Sequence, residues 1–339
     1  MTLYRYIVRR LLLLLPMLVG ITLLSFILSH AIPADPIATN LGDRAAADPT
    51  IVAAFKHHWG LDQPLYKQYL IYLWNLIHGD MGESISTHQP VLLDLRQHLP
   101  ATIEISVAAM CLSLLAGIPL GMLAAVYREQ PIDQAARVTA LIGVSTPVFW
   151  LGLVAIVVFY DWLGWAPAPV RLSADVTPPP FITGFLLVDS VVSHRWDAAL
   201  DWLGHLILPA VVLSAYSLGI VTRMMRGSML EVLEEEYVRT ARAKGVTRLK
   251  VVVRHAARNA VIPIITIVGL SFGGLLSGAV VTETVFSWPG LGLYAFSSAT
   301  SLDFPAIMGT GIVIASVYVI VNLVVDVAYA FFDPRIRVG

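Results

Sequence analysis

Six apolar runs, each long enough to cross a bilayer, constrain this chain more than any other feature. They fall at about Leu11–Ile32, Leu99–Tyr127, Ala136–Trp162, His205–Met225, Ala260–Phe286 and Pro305–Phe332. About 20 mostly apolar residues suffice for a spanning helix, and the bilayer interior tolerates only helices or closed barrels. A mean hydropathy of +0.75 with 13% charged residues lies outside the soluble globular range. The expected fold is therefore all-α and integral to a membrane, with six transmembrane helices. A cleaved leader is the competing reading of the first run, behind Arg5, Arg9 and Arg10. That run is too long for a leader core, and no small-residue cleavage pattern follows it.

Six spans put both termini on one side, and basic residues identify that side. Of the 22 lysines and arginines, all but six (Arg44, Lys56, Lys67, Arg96, Arg171 and Arg195) lie at the termini or in the loops around 128–137 and 223–258. The positive-inside rule makes those regions cytoplasmic. The division expected is a first helix over 1–32, a periplasmic insertion over 33–98, a core over 99–332 and a cytoplasmic tail over 333–339. Short helices on the outer surface are expected within 33–98. A second external segment, Leu163 to Gly204, is broken by Pro167, Pro169 and Pro178–Pro180 and cannot be one helix. A net charge of −1 implies no bulk attraction to nucleic acid.

Charge concentrates in one loop, residues 228–260. Ser228 and Glu231 have capping-box spacing, and Leu230, Leu233, Tyr237 and Ala241 form a single stripe. A helix from about Leu230 to Lys244 is expected, stopped at Gly245, with Thr247 capping a second helix that enters the membrane near Val261. Such an elbow is a docking device on one membrane face.

The elbow resembles the coupling loop of type I ABC importer permeases. Their motif runs Glu-Ala-Ala, three residues, Gly, then about nine residues on an Ile, one residue and Leu-Pro. Here Arg239-Thr240-Ala241 stands at the first three positions, Gly245 follows, and Asn259 to Pro263 closes the run. Arg and Thr replace the Glu and the first Ala. The string EYVRTARAKG is similar to the dipeptide, oligopeptide and nickel branch, closest to its dipeptide permease B-type subunits. His57 to Pro64, His78 to Gly82, Thr282 to Gly292 and Asp333 to Arg337 share that likeness. The resemblance implies an inner-membrane permease forming half of a path for di- or oligopeptides, with nickel, glutathione or haem as alternative cargo. It implies as partners a homologous second permease, two ATP-binding subunits, a periplasmic binding protein and membrane lipid, with no cofactor. Glu236, Tyr237, Arg239, Thr240, Ala241, Arg242, Lys244 and Gly245 are then the ATPase-coupling residues, the apolar stripe entering a cleft of the ATPase. Nothing identifies substrate-binding residues.

No catalytic constellation is visible. A Walker A loop requires Gly-Lys before Ser or Thr, but the four lysines precede His, Gln, Gly and Val. His57, His58, His78 and His88 fit no zinc spacing. Cys111 stands alone in an apolar run. Glu104, Glu283 and Asp326 are intramembrane acids for which structural polar contacts are expected. Gly117–Gly121, with Pro119 as an expected kink, and Gly269, Gly273, Gly274 and Gly278 offer small faces for helix packing or for lining a path. An ion-coupled transporter would instead show an internal repeat and mid-membrane acids, and none is evident. A membrane scaffold without transport is a further alternative, which the glycine-rich faces disfavour.

Overall fold

A computed structural model describes residue 12 and residues 16–27, 48–58 and 62–332. Arg5, Arg9, Arg10, His58's side chain, the motif at 333–337, the tail and the Asp326 side chain lie outside the described residues. The chain is built of helices: α1 (Pro16–Ile27), α2 (Pro49–His58), α3 (Leu65–Ile77), α4 (Val91–Val126), α5 (Pro131–Ser145) and α6 (Val148–Ala155), which continues as π-type turns to Trp162. There follow α7 (Leu186–Val192), α8 (Trp196–Glu234), α9 (Glu236–Ala243), α10 (Arg248–Ala260), α11 (Ile262–Val285), α12 (Leu291–Thr300) and α13 (Phe304–Phe332). Among the described residues there is one isolated bridge, Glu83 to Pro90, and no strand.

Three helices are long and apolar enough to cross a membrane, α4, α8 and α13, or up to five if each bent pair counts as one span. The run expected at 136–162 is not one straight helix. α5 and α6 meet at 107°, because Pro147 lacks an amide hydrogen and holds Thr146 extended at ψ 126. Both flanks of the external segments also differ from expectation. α4 starts at Val91 and α8 at Trp196, so 196–204 is helix rather than loop. His194, at φ 57, turns the chain immediately before α8. α4 runs on through Pro100 and Pro119.

The main core lies between α4, α8 and α11, where Ile105, Ala109, Trp202, Leu213, Phe272 and Leu275 meet. Small residues allow that closeness. A Cβ on Gly121 would stand against Met225 and the Thr222 carbonyl, and one on Gly117 against Val221. Gly269 and Gly273 face Val325 and Tyr318 of α13, and Gly278 faces Leu213. The glycine faces pack helices of this chain together, with Gly274 the exception, since nothing lies near its Cβ position.

Buried acids tie the loops of one end to the bundle. Glu104 is paired with Arg171 at 2.7 Å and accepts from the Leu186 amide (2.6 Å) and the Trp202 indole (3.3 Å). Glu283, fully buried, accepts from the Thr102 hydroxyl (2.6 Å) and the amides of Gly292 (2.7 Å) and Leu293 (3.0 Å). Those amides open α12, so the carboxylate meets the positive end of that helix. Asp303 holds Ser84 at 2.6 Å, and Asp94 accepts from Thr87 (2.6 Å) and Tyr294 (3.0 Å). Burial, with the bond to Asp94, pushes the Tyr294 phenol above its ordinary range. For Glu104 and Glu283 the structural contacts expected from sequence are the ones found.

Candidate functional site: the elbow at 228–260

The elbow is made differently from its sequence pattern. Ser228 does not start a helix; it lies buried inside α8, which runs on to Glu234. The break comes at Glu235, extended at φ −65 and ψ 145, and α9 is a separate helix of eight residues. Glu236 stands in the first turn of α9, where a carboxylate is favourable, while Glu231 and Glu234 fall in the last turn of α8, where it is not. Gly245 ends α9 as expected, at φ +75. Its amide donates to the Arg242 carbonyl (3.0 Å) and the Val246 amide to the Ala241 carbonyl (3.2 Å). This is a Schellman closure, completed by packing of Val246 on Ala241. Thr247 precedes α10 in extended form but makes no side-chain cap bond.

The expected stripe is also corrected. Leu230 and Leu233 belong to α8, while Val238 and Ala241 are buried against Val251 of α10. The apolar side of α9 is therefore consumed within the chain. What α9 offers outward is polar: Glu236, Tyr237, Arg239, Thr240, Arg242 and Lys244 are all exposed, with Gly245 beside them. Thr240 bonds back to the Glu236 carbonyl at 3.0 Å. The Tyr237 hydroxyl accepts from Asn259 at 2.7 Å, fastening α9 to the far end of α10.

Two further contacts at this end of the molecule, one from the elbow to α4 and one between α8 and α5, were missed by the sequence reading. Arg248 donates to the Val126 carbonyl (3.0 Å) at the end of α4 and lies 5.4 Å from the Tyr127 ring centre. Arg226 of α8 holds the fully buried Asp133 of α5 through bonds of 2.6 and 2.8 Å, while Asp133 also accepts the Glu129 amide. Both arginines had been counted only as charges fixing orientation. Their partners are remote in sequence, so only the abundance of arginine hinted at them. Chemically the exposed side of α9 is a polar face that carries Arg239, Arg242 and Lys244.

At the other end of the molecule, Asp189 holds the loop before α7. Burial acts to raise its pKa, but bonds from the Thr183 hydroxyl and the amides of Thr183, Gly184 and Ile182 prevail and set it below the ordinary value.

Comparison with known proteins agrees with this architecture. Residues 117–338 match the family described as binding-protein-dependent transport system inner membrane component, and residues 3–108 match the N-terminal model of such membrane components. The chain is 48% identical over 320 residues to a probable D,D-dipeptide transport system permease protein of Escherichia coli K12, covering 94% of each. It is 44% identical over 334 residues to a di/tripeptide transport system permease protein of Pseudomonas aeruginosa, covering 98% of each. It is 42% identical over 337 residues to the dipeptide transport system permease protein of Escherichia coli K12, again covering 98% of each. With matched models over both parts of its length, this chain belongs to the family of binding-protein-dependent transport system inner membrane components, a membrane-embedded transport subunit and not an enzyme.

Proposed function

We propose that the chain is the permease subunit of an ATP-driven importer of di- or oligopeptides, forming half of the path beside a homologous second permease. The observation that carries this is the elbow, a short polar helix closed by a left-handed glycine and braced to α4 and α8. Full-length similarity to dipeptide and di/tripeptide permeases supports the cargo class. In this reading six spans put both termini and the elbow in the cytoplasm, and 33–98 and 163–195 face the periplasm. Two ATP-binding subunits lie beneath the elbows of the two permeases, and a periplasmic binding protein delivers substrate.

The elbow residues then divide the work. Arg239, Arg242 and Lys244 attract and orient the ATPase, and Glu236, Tyr237 and Thr240 complete the exposed face. Ala241 seats α9 on α10, and Gly245 allows the reversal. When ATP draws the ATPases together, α9 and α10 move as one body. Arg248 passes that motion to α4, and Arg226 with Asp133 passes it between α8 and α5.

Co-purification of the tagged chain from its native membrane tests the proposal. Two ATPases and a sister permease should accompany it, and uptake of labelled dipeptide should cease on ATP depletion. A chain recovered alone, with uptake that follows the proton gradient, would overturn it.

A further inference from the structure

Helix α3 has thirteen residues and one charged side chain, Lys67. It rises about 20 Å, short of the roughly 30 Å hydrocarbon core. None of its residues is buried within the chain. One side leans on α1. The Tyr69 hydroxyl donates to the Val19 carbonyl at 3.1 Å and lies 3.0 Å from the Thr22 hydroxyl, and the Tyr69 ring is centred 5.4 Å from that of Phe26.

These contacts establish how deep the helix sits. Ser25 of α1 is level with Gly311, its Oγ 3.5 Å from the Cβ position there. Gly311 lies about 10 Å along α13 from Phe304, at 1.5 Å per residue. Phe26 is at that level, and Thr22 and Val19 are deeper. The chain leaving α3 stays near the same level, because the Met81 sulfur is 3.6 Å from the Cβ position of Gly309. α13 has 29 residues, about 43 Å, so it exceeds the hydrocarbon by about 13 Å and each end projects about 6 Å if it is centred. The Tyr69 ring and the chain beyond α3 therefore lie on the acyl side within about 5 Å of the boundary with the headgroups, and the Tyr69 hydroxyl reaches deeper.

The side of α3 away from α1 is apolar. Tyr66, Leu70, Trp74 and Ile77 fall within about 80° of arc at 100° per residue. They are open to the surroundings, Trp74 at 65% and Ile77 at 79%. The neighbouring α1 exposes Leu23, Leu24 and Ile27 in the same way, so the apolar surface of the span continues onto α3. Tyr, Trp and a lysine with a long apolar stem are the residues that favour the headgroup level.

We propose that α3 is an interfacial helix. It lies in the plane of the membrane, in the leaflet at the start of α13, with the Tyr66–Leu70–Trp74–Ile77 stripe against lipid. In the orientation proposed above this is the outer leaflet. Part of the 33–98 segment then belongs to the membrane surface rather than to the periplasm. The assignment depends on the depth of α3 and not on the cargo or on ATP coupling.

Single cysteines at Leu70, Trp74 and Ile77, in a Cys111→Ser background, would be spin-labelled in the purified full-length chain with its co-purifying subunits in liposomes. Accessibility to oxygen and to a water-soluble nickel chelate would be compared with labels at Leu24 and His88. Oxygen accessibility several-fold above that to nickel at all three sites, as at Leu24, is the expected result. High nickel accessibility, as at His88, would put the stripe in water. Low accessibility to both would mean that protein covers it. Either outcome overturns the proposal. Should one label prevent assembly, the others read the same stripe, and Trp74→Phe must remove a component of tryptophan fluorescence quenched by brominated lipid.

Discussion

Gly245 shows how one backbone angle shapes an exposed turn. At φ +75 a β-branched side chain is strained even though nothing stands near the Cβ position. Gly245→Val should cost about 1–3 kcal/mol locally and reduce dipeptide uptake, while the amount of protein in the membrane stays unchanged. Gly245→Asn should keep most uptake, because asparagine tolerates the left-handed region. Normal uptake by the valine variant would remove the coupling role from this turn. Thr102 gives a second residue-scale prediction. Its hydroxyl donates to Glu283 and accepts the Leu291 amide at 2.7 Å. Thr102→Val leaves both groups short of a partner, at about 1–3 kcal/mol. The purified complex should therefore melt at a lower temperature than the parent.

Among the elements, the ends of α9 were legible in unequal measure. Gly245 is a local signal that the chain obeys, and Thr247 marks the start of α10 without making the expected cap bond. The Ser228–Glu231 pattern is equally local, yet α8 runs straight through it, because Met225 and Met229 are buried against α10 and α11 and hold that helix together. Tertiary packing overrode a cap. Thr146–Pro147 was a readable break that the apolar run concealed. The contacts between remote segments were not legible, since nothing in a sequence pairs Arg226 with Asp133 or Arg248 with Val126. The first of these predicts its own energetics. Arg226→Met leaves a buried carboxylate unpaired and should destabilise by about 3–5 kcal/mol, whereas adding Asp133→Asn should recover much of the loss. Thermal melts of the single and double variants would measure the coupling. Arg248→Met should act on transport instead, lowering the peptide imported per ATP hydrolysed while leaving the amount of ATPase bound unchanged. An unaltered ratio would mean that the hook to α4 carries no motion.

For the whole molecule, the helical membrane class and the family were readable from apolar run length and the elbow motif. The closure by buried acids was not, because Glu104, Glu283, Asp94 and Asp303 gain their meaning from partners far along the chain. The orientation proposed here predicts a labelling pattern. In a Cys111→Ser background, Asp175→Cys should react with an impermeant maleimide from the periplasmic side. Lys244→Cys should react only after the inner membrane is opened, and the reverse pattern would invert the topology. The bond from Glu283 to the first amides of α12 has a mechanical consequence at this scale. α10 passes almost directly into α11, and α11 carries Glu283 at its other end. A strut bent by 44° at Val261 therefore begins in the elbow and ends by gripping a short helix at its other end. In the function proposed above, a push at the elbow would arrive at α12 as a displacement rather than as a loosening, with the Glu283 carboxylate among the links that keep the two ends in time.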